Sequence, residues 1–288
     1  LVGESGCGKS VTGMSILQLI PTPPGEITQG EIIFNGENLL GKSAKEMREI
    51  RGGKIAMIFQ DPMVSLNPVY TIGNQIAEAI DLHQPKGLSS TWEGVVDSLD
   101  RVQIADPASR AHNYPHQFSG GMRQRGMIAM MLSCRPSLLI ADEPTTALDV
   151  TVQAQVLKVM ADLQKELGMA VILITHNIGV VAETCDRVAV MYAGNIVETA
   201  DVETLFENPQ HPYTRGLLGS IPRADRDMDE LTIIEGSVPN LTKPPQGCRF
   251  HPRCKESMDI CRQVKPADLD LGDGHIVACH LYGQKNVD

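Results

Sequence analysis

Two apolar runs with an amphipathic segment between them form the clearest pattern in the chain. The runs LLIA at Leu138–Ala141 and AVILIT at Ala170–Thr175 are almost continuously apolar, which is typical of parallel strands buried on both faces. In the segment between them, apolar residues recur at helical spacing and Gly168 follows the last of them. These residues are Val152, Val156, Val159, Met160, Leu163 and Leu167. The order strand, helix, strand predicts an α/β fold with a mostly parallel sheet.

The flanking segments predict further elements. A helix over Val11–Ile20 is expected to stop before a proline cluster, and the interrupted helical pattern from Asp61 to Arg135 predicts a helical subdomain. Short apolar runs predict strands at Glu31–Phe34, Lys54–Phe59, Arg187–Tyr192 and Asn195–Glu198, with an antiparallel β part near Ile27–Asn38 and a hairpin turn at Ala193-Gly194. After about Glu207 the periodicity fades and Pro, Gly and Cys become more frequent. We therefore expect a main domain at residues 1–205 and a C-terminal extension at 206–288.

Composition narrows the classes of function. Asp and Glu number 35 against 25 Lys and Arg, a formal net charge of −10, and an acidic surface argues against a broad nucleic-acid-binding face. The sequence has no run of about 18 apolar residues, the length that a membrane-spanning helix requires.

The chain begins at Leu1, only two residues before a motif that normally follows a complete strand. We expect from this that the chain is an N-terminally truncated fragment.

The segment GESGCGKS at Gly3–Ser10 fits the pattern G-x4-G-K-S/T between a strand end and a helix start. Its glycines let backbone N–H groups turn inward around phosphate oxygens, and the helix N-terminus adds a partial positive charge. In such loops the lysine, here Lys9, reaches the β- and γ-phosphates, while the hydroxyl of the next residue, here Ser10, ligates Mg²⁺. The pattern predicts a nucleotide site.

Two further motifs fit a nucleotide site. Asp142 and Glu143 follow the predicted strand LLIA, at the end where α/β sheets bind ligands. We interpret Asp142 as the carboxylate that holds Mg²⁺ through water and Glu143 as the residue that polarises the attacking water. Ser119, followed by Gly120 and Gly121, can cap a helix and expose its amide groups as a second anion site. Since one phosphate does not need two such helix ends, we expect the second to complete the nucleotide pocket of another subunit.

Together with three further motifs, these segments follow the order found in the ATP-binding subunits of ABC transporters, which the chain resembles over about residues 1–200. The segment GESGCGKS corresponds to Walker A, FSGGMRQR corresponds to the signature motif, and LLIADE corresponds to Walker B. Three single residues also match: Gln60 in FQDPMVSLNP corresponds to the Q-loop, Asp149 in TALD to the D-loop, and His176 in LITHN to the switch histidine. The resemblance implies an ABC-type nucleotide-binding domain that takes ATP and Mg²⁺. It implies catalytic roles for Glu143, His176 and Gln60. It implies Mg²⁺ ligation by Ser10, Gln60 and Asp142. The residues implied to contact the nucleotide are Gly3, Ser5, Gly6, Cys7, Gly8, Lys9, Ser10, Val11, Gln60, Ser119, Gly120, Gly121, Asp142 and Asp149.

The details resemble the oligopeptide/dipeptide importer group. YPHQFSGGMRQR and the segment NPQHPYT at Asn208–Thr214 are similar to that group, which also carries a C-terminal extension. The resemblance implies a peripheral subunit on the cytoplasmic face of the inner membrane. Its expected partners are a second ATPase subunit, identical or not, two membrane permeases and an extracytoplasmic peptide-binding protein, with no nucleic acid. A nickel or cationic-peptide importer is the alternative, and a soluble ABC ATPase outside transport is a more distant one.

Four cysteines in the extension suggest a metal site. Cys248, Cys254, Cys261 and Cys279 are spaced C-x5-C-x6-C-x17-C, with basic residues among them. Disulfides are disfavoured in a cytosolic protein, and zinc ligands usually come in closer C-x2–4-C pairs. Four cysteines can also hold a 4Fe–4S cluster, and the resemblance to peptide-importer ATPases, some of which carry one, favours it. We expect a structural 4Fe–4S cluster at these cysteines, with Zn²⁺ as the alternative.

Overall fold

The computed structural model describes residues 1–60, 65–84, 87–146, 148–220 and 234–283. The chain divides into two compact units. The terminal unit consists of Leu1–Lys9 with Thr175–Asp288, and the central unit consists of Ser10–Ile174.

Short antiparallel and parallel pairings make up the β-structure of the central unit. The antiparallel pair joins β1 (Ile33–Phe34) to β2 (Glu37–Asn38), within the segment where an antiparallel part was expected. A parallel sheet joins β3 (Ile55–Ile58), β4 (Leu138–Asp142) and β5 (Ala170–Ile174) in that order. All four residues of β3 and the last four of β4 are buried, as expected of a parallel strand that is covered on both faces. In β5, by contrast, Ala170 is exposed and only Leu173 and Ile174 are buried.

Helices surround these strands within the central unit. The predicted amphipathic helix spans Val150–Leu167 and ends at Gly168, which has a φ of +62°, a left-handed conformation that glycine adopts easily. The pattern over Asp61–Arg135 is helical as expected, although Asp61–Val64 and residues 85–86 lie outside the described part. Besides the helix that follows the phosphate-loop motif, the described helices of this unit are Ala44–Ile50, Ile72–His83, Leu88–Arg101, Pro107–Arg110, Gly120–Leu132 and Val150–Leu167, with 3₁₀ turns at Leu39–Gly41 and Pro115–Gln117.

The helix that follows the phosphate-loop motif spans Lys9–Ile16, four residues shorter at its C-terminal end than predicted. Gly13 lies where this helix meets the parallel sheet: a Cβ there would come within 3.1 Å of Ile140, 3.3 Å of Ile174 and 3.3 Å of Met57. The helix therefore packs closely on the parallel sheet at this glycine.

The terminal unit is built on an antiparallel sheet. Its strands are β6 (Arg187–Tyr192), β7 (Asn195–Asp201), β8 (Leu269–Asp270) and β9 (Ile276–Val277), in the order β6-β7-β9-β8. The predicted hairpin is confirmed, and its second strand runs three residues further than expected. Val2 adds an isolated parallel bridge to Val190, so the start of the chain joins the edge of this sheet.

Short helices complete the terminal unit at Ile178–Thr184, Val202–Glu207 and Pro212–Gly219, with 3₁₀ turns at His251–Arg253 and Asp259–Arg262. Its core joins residues from both ends of the chain: Val2, the β6 residues Val188 and Val190, and Phe250 of the extension all belong to one buried cluster. In the described part of the chain, no helix is long and apolar enough to cross a membrane.

Candidate functional site

The predicted phosphate loop lies in the terminal unit and has the backbone conformation that its glycines allow. Gly3, Gly6 and Gly8 all have positive φ, at +152°, +78° and +108°. A Cβ at Gly3 would lie 2.1 Å from the carbonyl oxygen of Met191, so no larger residue fits there. Around Gly6 there is no atom within 4 Å of such a Cβ, which leaves that side of the loop open.

The Lys9 side chain lies inside this loop. Its ammonium group donates hydrogen bonds to the carbonyl oxygens of Gly3, at 2.8 Å, and Glu4, at 3.1 Å, and the residue is only 6% exposed. The hairpin turn supports the loop from the other side, because the Gly194 N–H donates to the Cys7 carbonyl at 2.8 Å. A buried cation in a loop of left-handed glycines at a helix start suits an anion such as a phosphate group. The residues present therefore fit the phosphates of a nucleotide.

The other phosphate-loop positions lie at the start of the helix Lys9–Ile16. Ser10 is half-buried and is the first residue of the central unit, whereas Val11 is 51% exposed. Ser5 is exposed and Cys7 is buried; burial raises the pKa of the Cys7 thiol, and the nearby Lys9 partly offsets this rise.

In the central unit, the end of β4 brings together three polar side chains from different motifs. Asp142 is the last residue of β4 and is 4% exposed, and Glu143 follows it with a φ of +47°. Glu143 Oε2 accepts a hydrogen bond from Gln60 Nε2 at 3.0 Å and another from the Thr146 hydroxyl at 3.0 Å. Gln60 and Glu143, 83 residues apart and both predicted as catalytic, are thus in direct contact. Residues 61–64 of the Q-loop motif lie outside the described residues.

The signature motif begins the helix Gly120–Leu132. The Ser119 hydroxyl caps this helix by accepting from the Met122 N–H at 3.3 Å, as its sequence position predicted. A Cβ at Gly121 would lie 2.5 Å from Val152 Cγ1, whereas one at Gly120 would meet only Leu148, at 3.8 Å. Gly121 is therefore where this helix packs closely on the helix Val150–Leu167.

Asp149 and His176 lie at other positions in the two units. Asp149 caps the helix Val150–Leu167, because its carboxylate accepts from the Val152 N–H at 2.9 Å; Ala147 of the same motif lies outside the described residues. His176 is exposed in the terminal unit, directly before Asn177, which caps the helix Ile178–Thr184. Their roles toward a nucleotide stay predictions.

The predicted iron–sulfur cluster is wrong for this structure. Cys248, Cys254, Cys261 and Cys279 are free thiols that line one small cavity. In the parts of the chain that the structure describes, however, no group of three or more His, Cys, Asp or Glu side chains is arranged to hold a metal ion. The same finding contradicts the alternative of a zinc site.

The physical reason lies in the surroundings of these thiols. Metals bind the thiolate form, whereas burial raises the pKa of Cys248 and Cys254, and raises that of Cys279 to about 11. The neutral form of these three thiols is therefore favoured. Arg253, one of the basic residues among these cysteines, is bound to the carboxylate of Glu4 at 2.8 Å.

Sequence reasoning assigned no role to Glu4 or Tyr213. Glu4 lies in the phosphate loop, and its side chain pairs with Arg253 while its N–H donates to the Tyr213 hydroxyl at 3.0 Å. These partners are 249 and 209 residues away in sequence. Only the presence of an acidic residue inside an anion-binding loop, which calls for a counter-charge, could have signalled the pair.

Comparisons with known proteins agree with the motifs. Residues 1–146 match the family described as ABC transporter, and residues 197–261 match the oligopeptide/dipeptide transporter C-terminal region. The chain is 55% identical over 280 residues to a probable peptide ABC transporter ATP-binding protein of Sinorhizobium fredii, covering 97% of this chain and 84% of that protein. It is 52% identical over 285 residues to the dipeptide transport ATP-binding protein DppD of Bacillus subtilis, covering 99% and 85%.

A solved structure supports the same fold. The cbiO1 protein of Clostridium perfringens, described as part of the ABC transporter complex cbiONQ, is 27% identical with a TM-score of 0.62, covering 75% of this chain and 81% of that one. Fold and motifs thus define the class as the ABC-type ATP-binding cassette. Within this class, the chain belongs to the ATP-binding subunits of the oligopeptide and dipeptide transporters.

Proposed function

We propose that this protein binds and hydrolyses ATP to energise the import of dipeptides and oligopeptides through membrane partner subunits. The observation that carries the proposal is the identity of 52–55% to peptide and dipeptide ATP-binding proteins along nearly the whole chain. The match of residues 197–261 to the oligopeptide/dipeptide C-terminal region adds support beyond the cassette itself.

The phosphate loop supplies the binding step in this proposal. The backbone N–H groups of Gly6 and Gly8 and the ammonium of Lys9 bind the phosphates, since loop and lysine together offer positive charge with little reorganisation. Ser10 and Asp142 are the residues that would hold Mg²⁺, together with Gln60. When bound, Mg²⁺ offsets the charge on the phosphate oxygens.

Glu143 orients and polarises the attacking water, because a carboxylate held in a fixed direction can accept a water proton. The hydrogen bonds from Gln60 and Thr146 to its Oε2 support this role, since they limit the rotation of the carboxylate. His176, at the end of β5, acts beside the γ-phosphate in the proposed scheme. Its exposure leaves it accessible to a ligand.

The protein is proposed to work as a peripheral subunit at the cytoplasmic face of the membrane. Its partners are a second ATPase subunit, two permeases and an extracytoplasmic peptide-binding protein. In this assembly Ser119, Gly120 and Gly121 face the γ-phosphate bound by Lys9 of the second ATPase subunit, if that subunit is a copy of this chain. The division into a cassette at 1–205 and an extension at 206–288 remains part of the same proposal.

Uptake by the reconstituted transporter tests this function. The protein is assembled with its second ATPase subunit and its permeases in proteoliposomes, with ATP on the side of the ATPase and the peptide-binding protein on the other side. Uptake of a radiolabelled dipeptide is then compared with uptake of ⁶³Ni²⁺. We expect ATP-dependent dipeptide uptake that Glu143→Gln abolishes and that Glu183→Gln, at an exposed glutamate, leaves unchanged. ATP-dependent uptake of nickel without dipeptide uptake would overturn the proposed substrate, and absence of ATP hydrolysis by the assembled wild type would overturn the function.

A further inference from the structure

The C-terminal extension holds Glu4 of the phosphate loop at both its main chain and its side chain. The Glu4 N–H donates to the Tyr213 hydroxyl at 3.0 Å. Its carboxylate accepts two hydrogen bonds from the Arg253 guanidinium, at 2.8 Å and 3.3 Å. These groups all lie in the terminal unit, and two-point contact between a guanidinium and a carboxylate fixes direction as well as distance.

The Arg253 guanidinium also makes hydrogen bonds to groups other than Glu4. Its Nε donates to the Glu235 carbonyl and its Nη2 to the Ile234 carbonyl, at 2.8 and 3.1 Å, and its Nη1 reaches the Tyr192 hydroxyl at 3.4 Å. With the two bonds to Glu4, each of the five N–H groups of a guanidinium has a partner. The side chain is 7% exposed and lies over the Tyr192 ring, with its central carbon 5.8 Å from the ring centre. Such a side chain positions its partner rigidly.

The aromatic residues around this pair anchor it to the core. Tyr213 and Phe250 pack against Tyr192, with ring centres 4.6 Å and 5.1 Å away, and all three are buried. Tyr213 is the second residue of the helix Pro212–Gly219 in the extension, and Phe250 directly precedes the 3₁₀ turn His251–Arg253. The turn that carries Arg253 is therefore fixed by packing against β6.

A second contact from the extension supports the loop indirectly, through the hairpin turn. The Arg249 guanidinium donates to the Ala193 carbonyl in the hairpin turn, and the next residue of that turn, Gly194, donates to the Cys7 carbonyl at 2.8 Å. The extension thus supports the phosphate loop on both sides of its central glycine, Gly6.

We propose that Arg253, with Tyr213, is a positioning residue for the phosphate loop, so that the C-terminal extension sets the affinity of the cassette for nucleotide. The link to the ligand is Glu4, whose carbonyl oxygen accepts from the Lys9 ammonium at 3.1 Å. Arg253 thereby fixes the residue that holds the phosphate-binding lysine. It also neutralises a carboxylate, 26% exposed, that would otherwise repel phosphate from within its own binding loop. The inference rests on the proposed ATP-binding function.

A substitution at Arg253 tests this role through the affinity for nucleotide. In the transporter assembled with its permeases, Arg253→Met should raise the KM for ATP, and the Kd for a fluorescent ATP analogue with Mg²⁺, about tenfold, equal to ~1.4 kcal/mol of binding free energy. The kcat at saturating ATP should stay within about twofold, because the residue acts before the chemical step. In the double variant Glu4→Gln with Arg253→Met, the charge is balanced again, so most of the loss in affinity should be recovered.

A matched control comes from another arginine of the extension. Arg215 pairs with Glu256 at 3.0 Å and is 40% exposed, and its other hydrogen bonds among the described residues go to the Gln210 carbonyl and the Tyr282 hydroxyl. Arg215→Met should leave KM and Kd unchanged, whatever it does to Tm. Arg253→Met with unchanged KM and Kd, or with a lowered Tm as its sole effect, would overturn the inference, as would a double variant that recovers none of the lost affinity. Either result with an active wild type leaves the proposed function intact, whereas a wild type without ATPase activity contradicts that function.

Discussion

Glu143 directly follows β4, and its carboxylate is held by hydrogen bonds from Gln60 and Thr146. We expect Glu143→Gln to lower steady-state ATP hydrolysis by about 10²-fold or more, because a positioned general base typically contributes that much. Binding of ATP with Mg²⁺ should persist, since the phosphate loop and Asp142 are untouched. Single-turnover hydrolysis and nucleotide binding by the assembled protein measure the two effects separately. Near-normal turnover would remove Glu143 from the catalytic role.

A substitution at Lys9, unlike one at Glu143, should mainly weaken the binding of ATP. Its ammonium is buried against the carbonyls of Gly3 and Glu4, and charge-assisted hydrogen bonds to phosphate contribute about 1.5–3 kcal/mol each. We expect Lys9→Ala to raise the Kd for ATP about tenfold or more, as measured by titration with a fluorescent nucleotide. Lys158→Ala, at an exposed lysine in the helix Val150–Leu167, is the control. Equal affinity of the two variants would contradict the proposed phosphate contact.

Helix packing at the signature motif can be tested with two adjacent glycines. A Cβ at Gly121 would overlap Val152 Cγ1, whereas one at Gly120 would make an ordinary contact with Leu148. We expect Gly121→Ala to be less stable than Gly120→Ala by about 1–3 kcal/mol, the usual cost of overpacking, as measured by urea unfolding. In a Val152→Ala background the difference should shrink, because the overlapping methyl group is removed. Equal unfolding free energies for the two alanine variants would show that the helices adjust without cost.

The cap of the helix Pro212–Gly219 predicts a dependence of stability on pH. His211 Nδ1 accepts from the Tyr213 N–H at 3.0 Å, which requires the neutral ring, and burial lowers the pKa of His211 from 6.5 to about 4, with a smaller contribution from Arg215. Because the unfolded chain binds the proton more readily, His211 stabilises the fold above pH 6.5. This contribution, about 3 kcal/mol at most, is lost as the pH falls toward 4.

Unfolding free energies measured between pH 4 and 6.5 check this expectation. His211→Asn keeps a side chain that can cap the helix but does not titrate, so it should flatten the pH dependence in this window. His116→Asn, at an exposed histidine, should leave the slope unchanged. A slope in His211→Asn as steep as in the wild type would assign the dependence to other groups.

At the scale of elements, the sequence predicted best where burial alone determines the structure. The apolar runs at β4 and β5 and the amphipathic helix ending at Gly168 lie within one or two residues of their predicted bounds. The two-residue strands β8 and β9 were missed because so short a segment carries no periodicity; β9 forms by pairing with β7. The cysteine spacing led to a wrong prediction of a metal site, because spacing does not show whether the surroundings of the thiols favour the thiolate form.

At the scale of the whole molecule, the pairings that join distant parts of the chain were beyond prediction from one sequence. The sequence predicted that Gln60 and Glu143 belong to the same nucleotide site, but not that they contact each other. It gave no catalytic signal for Thr146, the other hydrogen-bond partner of Glu143. The pair Glu4 and Arg253 depends on the fold of the terminal unit, which brings Leu1–Lys9 together with residues after Thr175. Local motifs therefore predicted which residues carry the chemistry, whereas the tertiary fold determines which residues hold them in place.

The last expectation concerns the assembly that hydrolysis requires. The described residues contain one lysine-bearing phosphate loop and one serine-capped helix start with two glycines, at Ser119–Gly121. If the latter completes the site of a second ATPase subunit, Ser119→Arg in the assembled transporter should keep the Kd for ATP within about twofold, because the phosphate loop is untouched. It should lower kcat about 10²-fold, because the arginine side chain keeps the two subunits from closing and the helix-end contact to the γ-phosphate is lost. Ser90→Arg, at an exposed serine in the helix Leu88–Arg101, is the control for added bulk and charge. Nucleotide titration and turnover in the same preparation separate the two quantities. Wild-type protein shown to be monomeric by sedimentation, and yet hydrolysing ATP at the rate of the assembled transporter, would contradict the shared site.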